Sequence, residues 1–141
     1  MKIRFKKLSP SAVMPRKAHA SDAGFDMTCT RYEVTNGELF TYHTDIAVEI
    51  PDGHVGLLFP RSSIYKQDLF LTNSVGVVDS GYRGEVMFKF KPICSDVKRH
   101  YQVGERIGQL IIIPYPDVEF VEADELSDSE RGIGGYGSSG S

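Results

Sequence analysis

Five short stretches of this 141-residue chain gather carboxylates, guanidiniums, hydroxyls and amides among small residues. The densest is Asn73-Ser74-Val75-Gly76-Val77-Val78-Asp79-Ser80-Gly81-Tyr82-Arg83-Gly84-Glu85. Its apolar strand ends in an acid, turns at Ser80-Gly81 and re-enters a strand. A plain β-hairpin needs Ser80-Gly81 but has no need of Asp79, Tyr82 or Asn73. Lining a pocket, Asp79 is a carboxylate base, Tyr82 a flat wall and Asn73 an amide for a base edge, while Gly76 lets a ligand approach the backbone.

Ser21-Asp22-Ala23-Gly24-Phe25-Asp26 places two carboxylates around an Ala-Gly pair, a pattern that ordinary turns also show. Pro60-Arg61-Ser62-Ser63-Ile64 follows a strand and opens a helical turn. It reads either as a phosphate cradle or as a capped turn with a surface Arg. In Gly104-Glu105-Arg106-Ile107-Gly108-Gln109-Leu110, Gln109 reads either as a surface strand residue or as an amide that hydrogen-bonds a ligand. The last eleven residues, from Arg131, include five Gly and three Ser. Such a segment cannot bury enough surface to fold alone. It is a frayed end, or an arm that orders over a ligand with glycine N–H groups, serine hydroxyls, an Arg fork and the Tyr136 ring. No Gly-x-x-x-x-Gly-Lys-Ser/Thr phosphate loop occurs.

The elements that must position these residues are strands. Ile46, Val48 and Ile50 share one face of a period-2 segment, as do Val86, Phe88 and Phe90. His54–Phe59, Val75–Val78 and Ile107–Ile113 read as inner strands, and the continuous Ile111-Ile112-Ile113 predicts cover on both faces. Turn signals recur at Asn36-Gly37, Pro51-Asp52-Gly53, Ser80-Gly81 and Gly104. The expected fold is one all-β domain, jelly-roll-like or a distorted barrel, over residues 1–130, with a flexible Gly/Ser-rich arm over 131–141. Ser62–Gln67 is the sole helix candidate.

Composition narrows the function. Asp117 to Glu130 holds seven acids and no Lys or Arg, while the preceding 116 residues carry 15 basic and 12 acidic side chains. That surplus is too small for a nucleic-acid groove and does not argue against a small anionic ligand. No run is apolar enough to span a membrane, and the first residues lack a signal-peptide core. Cys29 and Cys94 have no partner at metal spacing and read as two buried thiols in a reducing cytoplasm.

Five motifs in this order resemble those of the trimeric deoxyuridine triphosphate nucleotidohydrolases (dUTPases). Ala23-Gly24-Phe25-Asp26 is similar to the first, Pro60-Arg61-Ser62-Ser63 to the second and Gly76 to Glu85 to the third. Gly104 to Leu110 is similar to the fourth and Arg131-Gly132-Ile133-Gly134-Gly135-Tyr136-Gly137-Ser138-Ser139-Gly140 to the fifth. The resemblance implies a homotrimer with sites at subunit interfaces. It implies Mg²⁺-dependent hydrolysis of dUTP to dUMP and pyrophosphate in the cytoplasm, or the host-cell cytoplasm for a viral chain, with no nucleic-acid or membrane partner. It makes Asp79 the base that activates water and Tyr82 the plate under the deoxyribose. Asn73 and the backbone of Gly76, Val77, Val78 and Met87 become readers of uracil.

Arg61, Ser62 and Ser63 become phosphate contacts, with Gln109 beside them, and Asp26 the carboxylate behind the metal's water shell. The resemblance further makes Tyr136 a ring stacked on uracil, and Arg131, Gly137, Ser138 and Ser139 the groups that close over the γ-phosphate. The chain departs from the usual pattern at Tyr136, where Phe is common, at Gly108, where Ala is common, and at Ser63, where Gly is frequent. A dCTP deaminase or a nucleotide-gated regulatory binding protein on the same fold are the alternatives.

Overall fold

Asn36 and Gly37 both take positive φ, 53° and 70°, the geometry that closes a tight hairpin without splaying its strands. They join β3 (Arg31–Thr35) to β4 (Leu39–Glu49), the longest strand. A computed structural model describes residues 1–135 of the chain, and all statements here concern those residues. Along one edge, the first half of β4 pairs with β3 and its second half with β1 (Arg4–Lys7). The change of partner coincides with a bulge between His43 and Ala47, where Asp45 adopts φ 51°. An acid tolerates this left-handed conformation when its groups are tied down. Here the Asp45 amide donates to Glu85 Oε1 (2.9 Å), and its carboxylate accepts from Ser9 Oγ (2.8 Å).

The other edge of β4 pairs with β8 (Glu85–Pro92), and β8 with β6 (Leu69–Leu71). A second sheet has the order β2 (Phe25–Thr28), β9 (Arg106–Pro114), β5 (His54–Phe59), β7 (Gly76–Val78). Every pairing is antiparallel. The core draws Tyr42, Ile46, Val86, Phe88 and Phe90 from the first sheet and Met27, Leu58, Val78, Ile107 and Leu110 from the second. The architecture is therefore a jelly-roll-like β-sandwich with one short 3₁₀ helix, Ser62–Lys66. No helix among the described residues is long and apolar enough to cross a membrane.

Four expectations need correction. Ser80-Gly81 does not close a hairpin, because β7 and β8 belong to different sheets. Alternation on each side identifies two strands but not their partners. Val75–Val78 is not an inner strand: β7 is an edge, and Val77 is 64% exposed. Ile113 is 38% exposed, so the isoleucine run is not covered on both faces within one chain. Cys29 is buried, and burial pushes its thiol up to about 11, but Cys94 is exposed.

Gly108 of β9 faces the opposing sheet, against Phe88 of β8. A Cβ there would lie 2.1 Å from Cε1 of Phe88 on the opposing sheet. The absent methyl does not loosen the backbone; the Phe88 ring occupies its space. Gly108→Ala is expected to destabilise the fold by about 1–3 kcal/mol through overpacking. Gly108→Ala combined with Phe88→Leu should cost less than the sum of the single changes. Urea unfolding at fixed protein concentration checks this, and strict additivity would show that the ring and the methyl do not compete.

Candidate functional site

β9 lies between β2 and β5, and its register places one residue of each strand in a row. Gln109 pairs with Asp26 on one side and with Phe59 on the other. The chain leaves β5 at Phe59, and two residues later Arg61 reaches back. Its Nε donates to Asp26 Oδ1 at 2.9 Å. Arg106 Nη1 donates to Asp26 Oδ2, also at 2.9 Å. Gln109 Nε2 donates to the Pro60 carbonyl at 3.2 Å. A Cβ on Gly24 would meet Gln109 Oε1 at 2.2 Å, so the first motif's glycine makes room for the amide. Gly24, Asp26, Arg61, Ser62 and Gln109 line one cleft of about 320 Å³. It is polar: Arg61 and the Ser62 hydroxyl line it with the Asp22 and Asp26 carboxylates, while Arg106 reaches Asp26 from a neighbouring cleft, so the group it offers an anion is the Arg61 fork. The 3₁₀ helix spans only five residues, so its dipole adds little beside Arg61.

A second cleft, of about 290 Å³, forms where the chain crosses from β7 to β8. Asn73, Gly76, Val77, Val78, Asp79, Tyr82 and Met87 all line it. Asp79 follows the end of β7 and is exposed. Its carbonyl accepts the Tyr82 amide at 3.1 Å, closing a turn over Ser80-Gly81. Tyr82 Oη donates to the Glu85 carbonyl at 3.0 Å, which lays the ring across Gly84. A Cβ on Gly84 would stand 2.3 Å from that hydroxyl. Gly76 packs beneath the Asn73 amide, whose Nδ2 lies 3.4 Å from where a Cβ would be. The cleft thus joins an apolar slot, a side-chain amide, an aromatic plate and an accessible carboxylate: the parts needed to hold a nucleoside beside a reacting water.

The structure brings the other sequence-chosen residues together only in part. Ser63 lines a neighbouring cleft with Lys66 and Tyr101 rather than the one with Ser62. Its Oγ accepts from Arg61 Nη1 at 3.4 Å. Arg131 lines none of these clefts; its Nε donates to the Gly134 carbonyl at 2.8 Å. Tyr136, Gly137, Ser138 and Ser139 lie outside the described residues. Arg106, Glu85 and Lys89 were not singled out from sequence, yet Arg106 shares Asp26 and the other two line the nucleoside-shaped cleft. A long cation at the mouth of a strand carrying Gln109 was the available signal for Arg106.

Among the described residues there is no group of three or more His, Cys, Asp or Glu able to hold a metal ion. Both Asp26 oxygens already accept guanidinium N–H bonds. The described residues therefore offer no protein cage for a divalent cation. Any such ion must take most of its oxygens from ligand and water, as Mg²⁺ commonly does.

The dUTPase family model matches residues 11–140. The chain belongs to the dUTPase family. It is 39% identical over 142 residues to the deoxyuridine 5'-triphosphate nucleotidohydrolase of Thermobifida fusca, covering 99% of this chain and 79% of that protein. It is 41% identical over 143 residues to the one from Nocardia farcinica, covering 98% and 85%. The Staphylococcus bacteriophage 80alpha dUTPase, solved with dUpNHpp, superposes with a TM-score of 0.86 at 31% identity over 99% of both chains. An Asp-to-Asn variant of the S. aureus phage phi11 dUTPase, whose structure details the coordination of a structural Mg(II) ion, has a TM-score of 0.73 at 26% identity, covering 89% and 98%.

Because Gly84 alone leaves room for the Tyr82 ring, Gly84→Ala should lift the plate from its seat. Binding of dUpNHpp is expected to weaken about tenfold, equivalent to about 1.4 kcal/mol of lost contact. Titration calorimetry checks it; unchanged affinity would place Tyr82 outside the contact surface.

Proposed function

We propose that this chain hydrolyses dUTP to dUMP and pyrophosphate by water attack on the α-phosphorus, which limits uracil entry into DNA and supplies dUMP for thymidylate synthesis. The observation that carries the reading is the pairing of two incomplete clefts on one dUTPase-family chain. One has the parts for a deoxyuridine and its attacking water; the other has the parts for phosphates. They are separate cavities within a protomer. Bringing each against its complement on a neighbour makes a whole site, as a homotrimer does. Exposed Val77, Ile113, Phe120 and Leu126 give such an assembly apolar surface to bury.

In this reading the Asn73 amide and the backbone of Gly76, Val77, Val78 and Met87 meet the uracil edge. Tyr82 packs under the sugar and crowds a ribose 2′-OH. Asp79, an exposed carboxylate, accepts a proton from the attacking water. Arg61, with Ser62 and Ser63, holds the phosphates while Asp26 orients the guanidinium through its Nε. Gln109, fixed by the Pro60 carbonyl, sits beside them. Asp26 would hold a triphosphate-bound Mg²⁺ through water, and the ion, when bound, would neutralise phosphate charge. Residues 131–141 act as an arm beyond the 1–130 domain: Arg131, Gly137, Ser138 and Ser139 at the terminal phosphate and Tyr136 against the base. Their closure excludes water and adds positive charge where the transition state gains negative charge. Two free thiols suit a cytoplasmic enzyme.

Pyrophosphate release from dUTP, dTTP, dCTP and UTP, with and without Mg²⁺, tests the activity. Turnover of dUTP with Mg²⁺ is expected, and ammonia from dCTP would point instead to a deaminase. Tight dUTP binding without pyrophosphate would leave a binding protein. Asp79→Asn should lower kcat by about 10²-fold or more with a smaller change in KM, on the usual scale of general-base loss. Removing residues 131–141 should leave a folded protein with little activity; full turnover by that truncated chain would show the arm to be dispensable.

A further inference from the structure

Residues Asp79 to Gly84 belong to neither sheet, yet they carry the base and the sugar plate. Strand pairing does not hold them. The turn has one internal backbone hydrogen bond, Tyr82 N–H to the Asp79 carbonyl. Beside the Tyr82 phenol on the Glu85 carbonyl, what fixes it is Arg83. Its Nη1 donates to the Ser80 carbonyl at 2.5 Å and to the Tyr82 carbonyl at 2.9 Å. The same guanidinium faces Glu49 of β4, with Nη2 3.8 Å from Oε1. Glu49 is gripped in turn by Arg4 of β1, whose Nη2 and Nε approach its two carboxylate oxygens at 2.6 Å each. The Arg4 hydrogen bond holds the Glu49 carboxyl below the usual range, so it stays ionised and can anchor a second cation.

Arg83 is not among the residues lining the nucleoside-shaped cleft; with Arg4 and Glu49 it lines a different groove, over β1 and β4. It therefore acts through the turn rather than on the nucleotide. We propose that Arg83 is a positioning residue that clamps the Asp79–Tyr82 turn to the β1–β4 edge and thereby sets discrimination between deoxyribose and ribose. The discrimination rests on the dUTPase reading above; the clamp itself does not.

The geometry needs a planar fork: one nitrogen serves two carbonyls while another faces the carboxylate. A lysine keeps the charge but loses the fork. Loss of the clamp leaves the slot in place and frees Asp79 and Tyr82 to shift. Displacements of about 1 Å can cost up to about 10²-fold in rate. Because the plate excludes the 2′-OH by contact, its displacement costs dUTP turnover while relaxing the penalty on UTP.

The test uses the full chain with Arg83→Ala, Arg83→Lys and Glu49→Gln. The expected result is a fall of about tenfold in the ratio of kcat/KM for dUTP over UTP in Arg83→Ala, on that positional scale. Arg83→Lys should restore little of it, and Glu49→Gln should show a smaller fall. Melting temperature and oligomeric state should stay at wild-type values. Hydrogen exchange at the Gly81–Gly84 amides, read without substrate, should speed up in the same order. An unchanged ratio, or a KM raised equally for both nucleotides, would overturn the selectivity role and mark Arg83 as a general phosphate attractor. Unchanged exchange in a folded Arg83→Ala protein would overturn the clamp. Should the wild-type chain fail to hydrolyse dUTP, the enzymatic reading and its selectivity consequence fall, and exchange alone decides the clamp.

Discussion

The chain crosses from one sheet to the other between Val78 and Glu85, and most of what can happen in this molecule depends on that crossing. A hairpin would have satisfied its backbone by cross-strand bonds and buried Asp79 and Tyr82 in a ladder. A crossing instead leaves six residues free of pairing, with a core strand on each side to fix their ends. Val78 and Val86 are anchored in the interior. Between them the backbone is held by side-chain fork, turn and phenol. This combination of rigid ends and adjustable middle suits a site that must present a carboxylate to solvent yet keep it in register with a slot.

The second half of the site is built differently. Here strand register does the positioning. Gln109 and Asp26 are cross-strand partners, and Arg61 follows the end of the strand on the far side of β9. Asp26 serves less as a free acid than as a brace between two guanidiniums. It orients them, and Asp22 adds a second carboxylate to the cleft that Arg61 lines. In the proposed reading this cleft meets the phosphates, and the slot near Tyr82 selects the nucleoside. The cleft beside Arg61 thus draws its strand residues from the second sheet alone, whereas the nucleoside-shaped cleft joins β7 of that sheet to β8 of the first.

Much of this was legible in the residues. Period-2 alternation identified β8 and the second half of β4, apolar β-branched runs identified β5 and β9, and Asn36-Gly37 identified its turn, because those signals are local. What alternation could not carry was partnership. Val75–Val78 and Val86–Phe90 look like two arms of one hairpin, and only long-range packing sends them to separate sheets. Asp45 gave no warning of its left-handed backbone, since the bulge exists to let β4 change neighbours from β3 to β1. The motif order located the residues of both clefts, but not the split between Ser62 and Ser63, which follows from the tight 3₁₀ winding after Arg61. Arg83 was visible as a motif letter; its work is backbone carbonyl binding, which composition does not encode.

The contrast between the two cysteines has a practical reach. Cys29 is sealed among core side chains, whereas Cys94 stands in the loop after β8 and lines neither the nucleoside-shaped cleft nor the phosphate one. A thiol-selective dye therefore attaches at one defined point per polypeptide without touching the reacting groups. In an assembly of identical copies, those labels form a fixed symmetric array whose mutual energy transfer reports dissociation directly.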